Sequence, residues 1–205
     1  MLRRHLAALA ACAFWRPAVA ADDPLWFIFL ERGKPTPDDK DRVMAMQRGH
    51  IENFKRLFAL GKLFSAGPLA DPSGFKRGIV TVRANSREEL MGYFEPDAYV
   101  REGYMTVNAV PAIGRRPHHT EGIDASRVEE IRIVLLPREA PVPPPVLQAM
   151  VDKGVFGAWY TLNEGPLADV LFARTTDTAA VEAALASHAR GALVWRQWIS
   201  PGVVR

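Results

Sequence analysis

The chain of 205 residues has a single cysteine, Cys12, so no internal disulfide can staple it and its stability must come from packing. No stretch reaches the ~20 consecutive apolar residues that a membrane-spanning helix needs. Also absent are the P-loop, the dinucleotide-binding glycine fingerprint, the paired histidines of zincins and the nucleophile elbow, so the common nucleotide, zinc and serine chemistries have no signature here. An excess of one charge is missing too, once the N-terminus is set aside. Arg3 and Arg4, the apolar run Leu6–Trp15 and the small residues Ala18-Val19-Ala20 read as a secretory signal over residues 1–20. Its loss removes Arg3, Arg4 and Arg16 and no acid, so the 26 Lys+Arg fall to 23 against 23 Asp+Glu, and the net charge of +3 falls to zero. A balanced chain offers no electrostatic case for nucleic acid. Cys12 leaves with the signal, which excludes thiolate catalysis in the mature protein. The expected location is periplasmic or secreted; the alternative is a lipoprotein, because Leu9-Ala10-Ala11-Cys12 resembles a lipobox.

What is present suits a packed core: 48% of residues are hydrophobic and 24% charged. Beyond the signal the pattern reads β-α-β-β-α-β twice. Leu25–Glu31, Leu63–Ala66, Gly78–Ala84 and Tyr104–Val110 are strand-like in the first half, residues 24–111. Its helices are Lys40–Leu60 and a second one capped by Ser86, with Glu89 in capping-box position. Residues 112–127, rich in Pro, Gly and basic side chains and holding His118-His119, read as a linker. In residues 128–205 the strands are Glu130–Leu136, Val155–Leu162, Asp169–Arg174 and Leu193–Ile199, with helices Pro143–Lys153 and Asp177–Ser187. The expected fold class is α+β: two tandem ferredoxin-like repeats of the dimeric α/β-barrel type, each with helices on one sheet face. Packing the bare faces together would give a single-chain pseudo-dimer with an interior cleft. Further homo-dimerisation stays open.

Within Lys40–Leu60 the residues Val43, Met44, Met46, Ile51, Phe54, Leu57 and Phe58 fall in one apolar arc, and His50 lies near its middle. An imidazole aimed at a core is either a satisfied structural group, bonded to a backbone carbonyl, or the working end of a pocket. Its proton exchange near neutral pH suits general acid–base catalysis.

Four short stretches carry a resemblance: Arg48-Gly-His50, Gly61-Lys-Leu63, Ala66-Gly-Pro-Leu69 and Asp97-Ala-Tyr-Val-Arg-Glu-Gly103. On these, residues 26–111 resemble the YCII-related family of the dimeric α/β-barrel superfamily. Ala98 stands where that family usually has proline after the acid. The resemblance implies a pocket near the helix histidine and an acid, here His50 and Asp97, with some members similar to dehalogenating enzymes and lactone isomerases. Asp97 would orient the imidazole; its plain reading is a helix N-cap over Ala98–Arg101, and both roles can coexist. The second half lacks these motifs.

Substrate-binding candidates are Ser65, Gly67, Pro68 and Asp71. Each also has a structural reading: Ser65 as a polar strand position, Gly67-Pro68 as a strand-ending turn, Asp71 as a turn former before Pro72. His118-His119 lacks the i,i+4 spacing of a ligand pair, so no metal is expected, and no cofactor. The leading reading is a small-molecule enzyme moving a proton on a cyclic or aromatic substrate through His50. The alternative is a non-catalytic ligand- or protein-binding module of the cell envelope. A haem protein would need a second ligand that the sequence does not offer.

Overall fold

Alternation places the side chains of Trp26–Leu30 in β1 (Leu25–Arg32) on two buried faces. Phe27 and Phe29 point one way, Trp26, Ile28 and Leu30 the other. A strand apolar on both faces must be covered on both. Helices cover one side of it, and the interior of a barrel is the other. The computed structural model describes residues 24–205; the signal-peptide reading of residues 1–20 and Cys12 lie outside them.

After β1 the chain runs through α1 (Lys40–Ala59), β2 (Leu63–Ala70), β3 (Lys76–Arg83), α2 (Arg87–Gly92), α3 (Ala98–Arg101) and β4 (Met105–Arg116). It continues with β5 (Glu129–Pro137), α4 (Pro144–Asp152), β6 (Ala158–Leu162), β7 (Leu167–Ala173), α5 (Thr178–Leu185) and β8 (Leu193–Ile199). Asp39, Ser86, Asp97 and Asp177 cap α1, α2, α3 and α5 with their side chains. Gly61 follows α1 at φ +67°, the left-handed conformation that lets the chain leave the helix.

All eight strands pair antiparallel and close into one barrel in the order β1-β3-β2-β8-β5-β7-β6-β4. This corrects the expectation of two tandem ferredoxin-like repeats facing each other across a cleft. The order β4-β1-β3-β2 in the first half matches β8-β5-β7-β6 in the second, yet the halves do not stand as separate sheets. Leu69 pairs with Gln197 and Ala70 with Arg196; Ala112 pairs with Leu162 and Ile113 with Thr161. These two seams consume the four edges that separate sheets would expose. An eight-stranded barrel is narrow enough for side chains to fill. Phe27, Ile79, Ile131, Ile133, Tyr160, Val170 and Phe172 do so.

Two local expectations also change. β2 does not stop at Gly67-Pro68 but passes through both, with Gly67 opposite Ile79 and Pro68 opposite Gly78. Glycine is required there because a Cβ would strike the carbonyl oxygen of Trp198 on β8. The segment read as a linker begins as strand: β4 runs to Arg116, with Gly114 opposite Tyr160. Beyond it the chain turns into the barrel end. There His118 is buried, and His119 donates its backbone N–H to Val203 of the C-terminal tail.

The two barrel ends therefore differ. Residues around His118 and the buried Val203 and Val204 plug one. The other opens into a cavity of about 370 Å³ lined by Phe29, Val110, Leu135, Leu162 and Trp195. Among the described residues no helix is long and apolar enough to cross a membrane.

Candidate functional site

α1 lies on the outside of the barrel, and its buried stripe is narrower than the sequence arc. Met46, Asn53 and Leu57 are buried, whereas Met44 (58% exposed) and Ile51 (44%) face outward. Asn53 takes the inward place by donating to the Tyr93 carbonyl at 2.8 Å and accepting from Arg56. His50 sits within this stripe. It faces α3 rather than the barrel interior.

There it meets Asp97. Nδ1 of His50 lies 2.5 Å from Oδ2 of Asp97, and the side chains are 12% and 0% exposed. The other carboxylate oxygen, Oδ1, accepts the backbone N–H of Tyr99 at 3.0 Å as the N-cap of α3. One buried carboxylate thus starts a helix turn and holds an imidazole. An ionised carboxylate only accepts, so Nδ1 donates and the lone pair of the neutral ring is on Nε2. Nε2 has no hydrogen-bond partner among the described residues and is not sealed from solvent. Phe54 and Tyr99 meet the ring edge-on, with centroids 4.4 and 5.8 Å away, and fix its plane. The arrangement has the parts of a general base: an oriented ring, an open nitrogen and a carboxylate that stabilises the imidazolium.

The other sequence candidates lie elsewhere. Ser65 faces the barrel interior beside Thr81, buried and with no partner for its hydroxyl. Gly67 belongs to the barrel wall, and Pro68 is exposed on β2. Asp71 is spent on the β2–β3 turn, accepting from Ser73 N, Ser73 Oγ and Lys76 N at 2.9, 2.7 and 2.8 Å. Burial raises its pKa, but these hydrogen bonds outweigh that and hold the carboxyl below its ordinary range.

A second histidine, placed in a linker by the sequence, is a structural surprise. Nδ1 of His118 lies 3.0 Å from the Tyr160 hydroxyl and 3.2 Å from that of Thr81, and its ring meets Phe172 edge-on at 4.4 Å. Its backbone N–H donates to the Tyr160 oxygen at 2.8 Å, which leaves the tyrosine proton for Nδ1. Burial pushes this imidazole down to about 3, so it is neutral. Among the described residues no group of three or more His, Cys, Asp or Glu side chains could hold a metal ion.

Beside the His50–Asp97 pair is a cleft of about 500 Å³ between the β1–α1 loop, α1, β3 and α3. Val43 and Gln47 of α1 line it, and His50 follows on the same helix face one turn beyond Gln47. Tyr99 forms a wall of the cleft and touches the His50 ring. The sequence reading missed Tyr99, because an aromatic in a four-residue helix carries no periodic signal.

No family model matches the chain, and no curated protein does. Among solved structures it is similar to a "putative monooxygenase" from Fusobacterium nucleatum subsp. nucleatum, with a TM-score of 0.54 and 7% identity over 87% of this chain and 93% of that one. A "putative monooxygenase" from Lactobacillus acidophilus NCFM aligns with a TM-score of 0.45 and 8% identity over 86% and 93%. At 7% identity the first likeness establishes a shared fold.

Proposed function

We propose that this protein is an exported, YCII-like small-molecule enzyme in which His50 moves a proton on a cyclic or aromatic substrate, in isomerisation or elimination. The observation that carries the proposal is the 2.5 Å contact between Nδ1 of His50 and the buried Asp97 carboxylate, with Nε2 left open. The shared fold supports a small-molecule enzyme in general terms and does not choose between oxygenation and proton transfer. The His–carboxylate pair favours proton transfer. Nε2 takes a proton from an acidic carbon of the substrate, the imidazolium is held by Asp97 and exchanges its Nε2 proton with solvent, and a proton is then delivered at a second position or to a leaving group.

The test is deuterium incorporation. Unsaturated lactones and related cyclic acids are incubated with the purified protein in D₂O, and exchange or isomerisation is followed by NMR. His50→Asn is expected to slow the reaction by about 10²–10⁴-fold, the usual worth of a positioned base. A folded His50→Asn protein that works at the wild-type rate would remove the catalytic assignment. A ligand bound without turnover by the wild type would instead favour a binding module.

A further inference from the structure

The cleft beside His50 has a charge pattern of its own. A bulge between Leu30 and Glu31 shifts the β1–β3 register, so that Lys76 turns to the barrel interior and Arg77 to the helix side. Arg77 then joins Arg32 at the end of β1 and Lys34 in the following loop around the same cavity. None of the three forms an ion pair among the described residues. Lys34 lies over the Tyr104 ring, 4.2 Å from its centroid.

The carboxylates near this group are engaged. Glu102 is held by Arg42 at 2.5 Å and lies 3.7 Å from Arg101, so its field at Lys34 is shared among three cations. Asp97 is buried against His50. Asp39 caps α1 through Arg42 N. Three cations therefore line one cavity with no carboxylate paired to any of them among the described residues, the Arg32 guanidinium lying beside Gly74, and an anion that enters is attracted by all three. Guanidinium forks match a carboxylate in two-point geometry. Tyr99 and Tyr104 also line the cleft but are nearly buried, so the apolar surface on its walls comes from the partly buried Val43 and Met105.

We infer that this cleft binds a small ring-bearing carboxylate, with the anion at Arg77 and Arg32 and the ring against Val43 and Met105. The role of the bound molecule as a substrate rests on the proton-transfer reading above; its binding does not.

Calorimetric titration with benzoate, and with benzamide as the uncharged isostere, tests this directly. Wild-type protein is expected to bind benzoate and not benzamide, and to bind more weakly as salt is raised. Arg77→Gln and Arg32→Gln should each weaken benzoate about tenfold, as expected for losing one charged hydrogen-bond partner. Arg190→Gln, an exposed position in the second half, should change nothing. His50→Asn should lose turnover in the deuterium-exchange assay, which reads the proton-transfer step alone. Equal binding of benzoate and benzamide, no effect of either cleft variant, or no benzoate binding would overturn the inference. If benzoate fails while His50-dependent turnover of a neutral lactone persists, the anion site falls and the proton-transfer reading stands. If benzoate binds as expected while His50→Asn turns over normally, the reverse holds.

Discussion

His50 and His118 are both gripped at Nδ1, and they differ in what grips them. For His50 the partner is a buried carboxylate, the setting lies outside the barrel between α1 and α3, and Nε2 is open. For His118 the partners are two neutral hydroxyls, the setting is the plugged barrel end, and Nε2 is buried with no partner. A carboxylate behind an imidazole stabilises the charged ring and so permits proton traffic. Hydroxyls in a sealed apolar cage stabilise only the neutral ring, and burial makes protonation costly. The same side chain is therefore a working group in one place and a strut in the other.

The largest effect expected from this contrast is on stability. His118→Ala would leave a cavity against Phe172 and strip the Thr81 and Tyr160 hydroxyls of their acceptor, a loss of about 3 kcal/mol. His50→Asn, at a partly exposed position, should cost about 1 kcal/mol or less. Urea unfolding of the two variants reads both numbers. Equal losses would erase the distinction between strut and working group.

Acid provides the next test. The folded-state pKa of His118 is depressed to about 3, below the ordinary 6.5, so between these values the unfolded chain binds more protons than the folded one. Stability from this group is fully present above about pH 6.5 and is lost as pH falls toward 3. By about pH 5 the loss should be about 2 kcal/mol. Glu89 is held at about 2 by the hydroxyl of Tyr93 and the backbone of Asn85, and contributes only below its own ordinary 4.5. The urea midpoint should therefore begin to drop above pH 5 in the wild type, and a folded His118→Leu variant should show a flatter limb there. An identical limb in both would place the acid sensitivity elsewhere.

The contrast also marks where sequence patterns stop. All eight strands and the main helices are local events, written as alternation, caps and apolar stripes, and they can be read one at a time. Barrel closure is not local: nothing in β2 alone says that Leu69 will face Gln197, more than a hundred residues away. β4 beyond Val110 was hidden because Pro111 and Gly114 look like loop residues. Pro111 instead faces Trp26 in register, and Gly114 is packed against Leu25 and Pro117. His118 was hidden by the same polar, proline-rich flanks, although the barrel end needs a plug. His50 was visible because it interrupts an apolar stripe, even though Ile51 turned outward and Asn53 inward. Asp97 was visible through the family-like stretch and the capping pattern. Arg77 was not, since a register shift decided its side.

The smallest effect separates the two tasks of Asp97 and sharpens the contrast most. Oδ1 caps α3 and Oδ2 holds His50, so one substitution can spare the first and remove the charge from the second. Asparagine is as good an N-cap as aspartate, and its side-chain oxygen can still accept the Tyr99 N–H. Asp97→Asn should thus lose little cap energy while no longer supporting an imidazolium. Asp97→Ala loses both, and should unfold at lower urea than Asp97→Asn by about 1 kcal/mol, the worth of a cap. In the deuterium-exchange assay the two should be equally impaired, because neither carries a carboxylate. Equal stability would remove the cap from the reasons for an acid at this position, and unequal activity would show that the charge is not what supports His50.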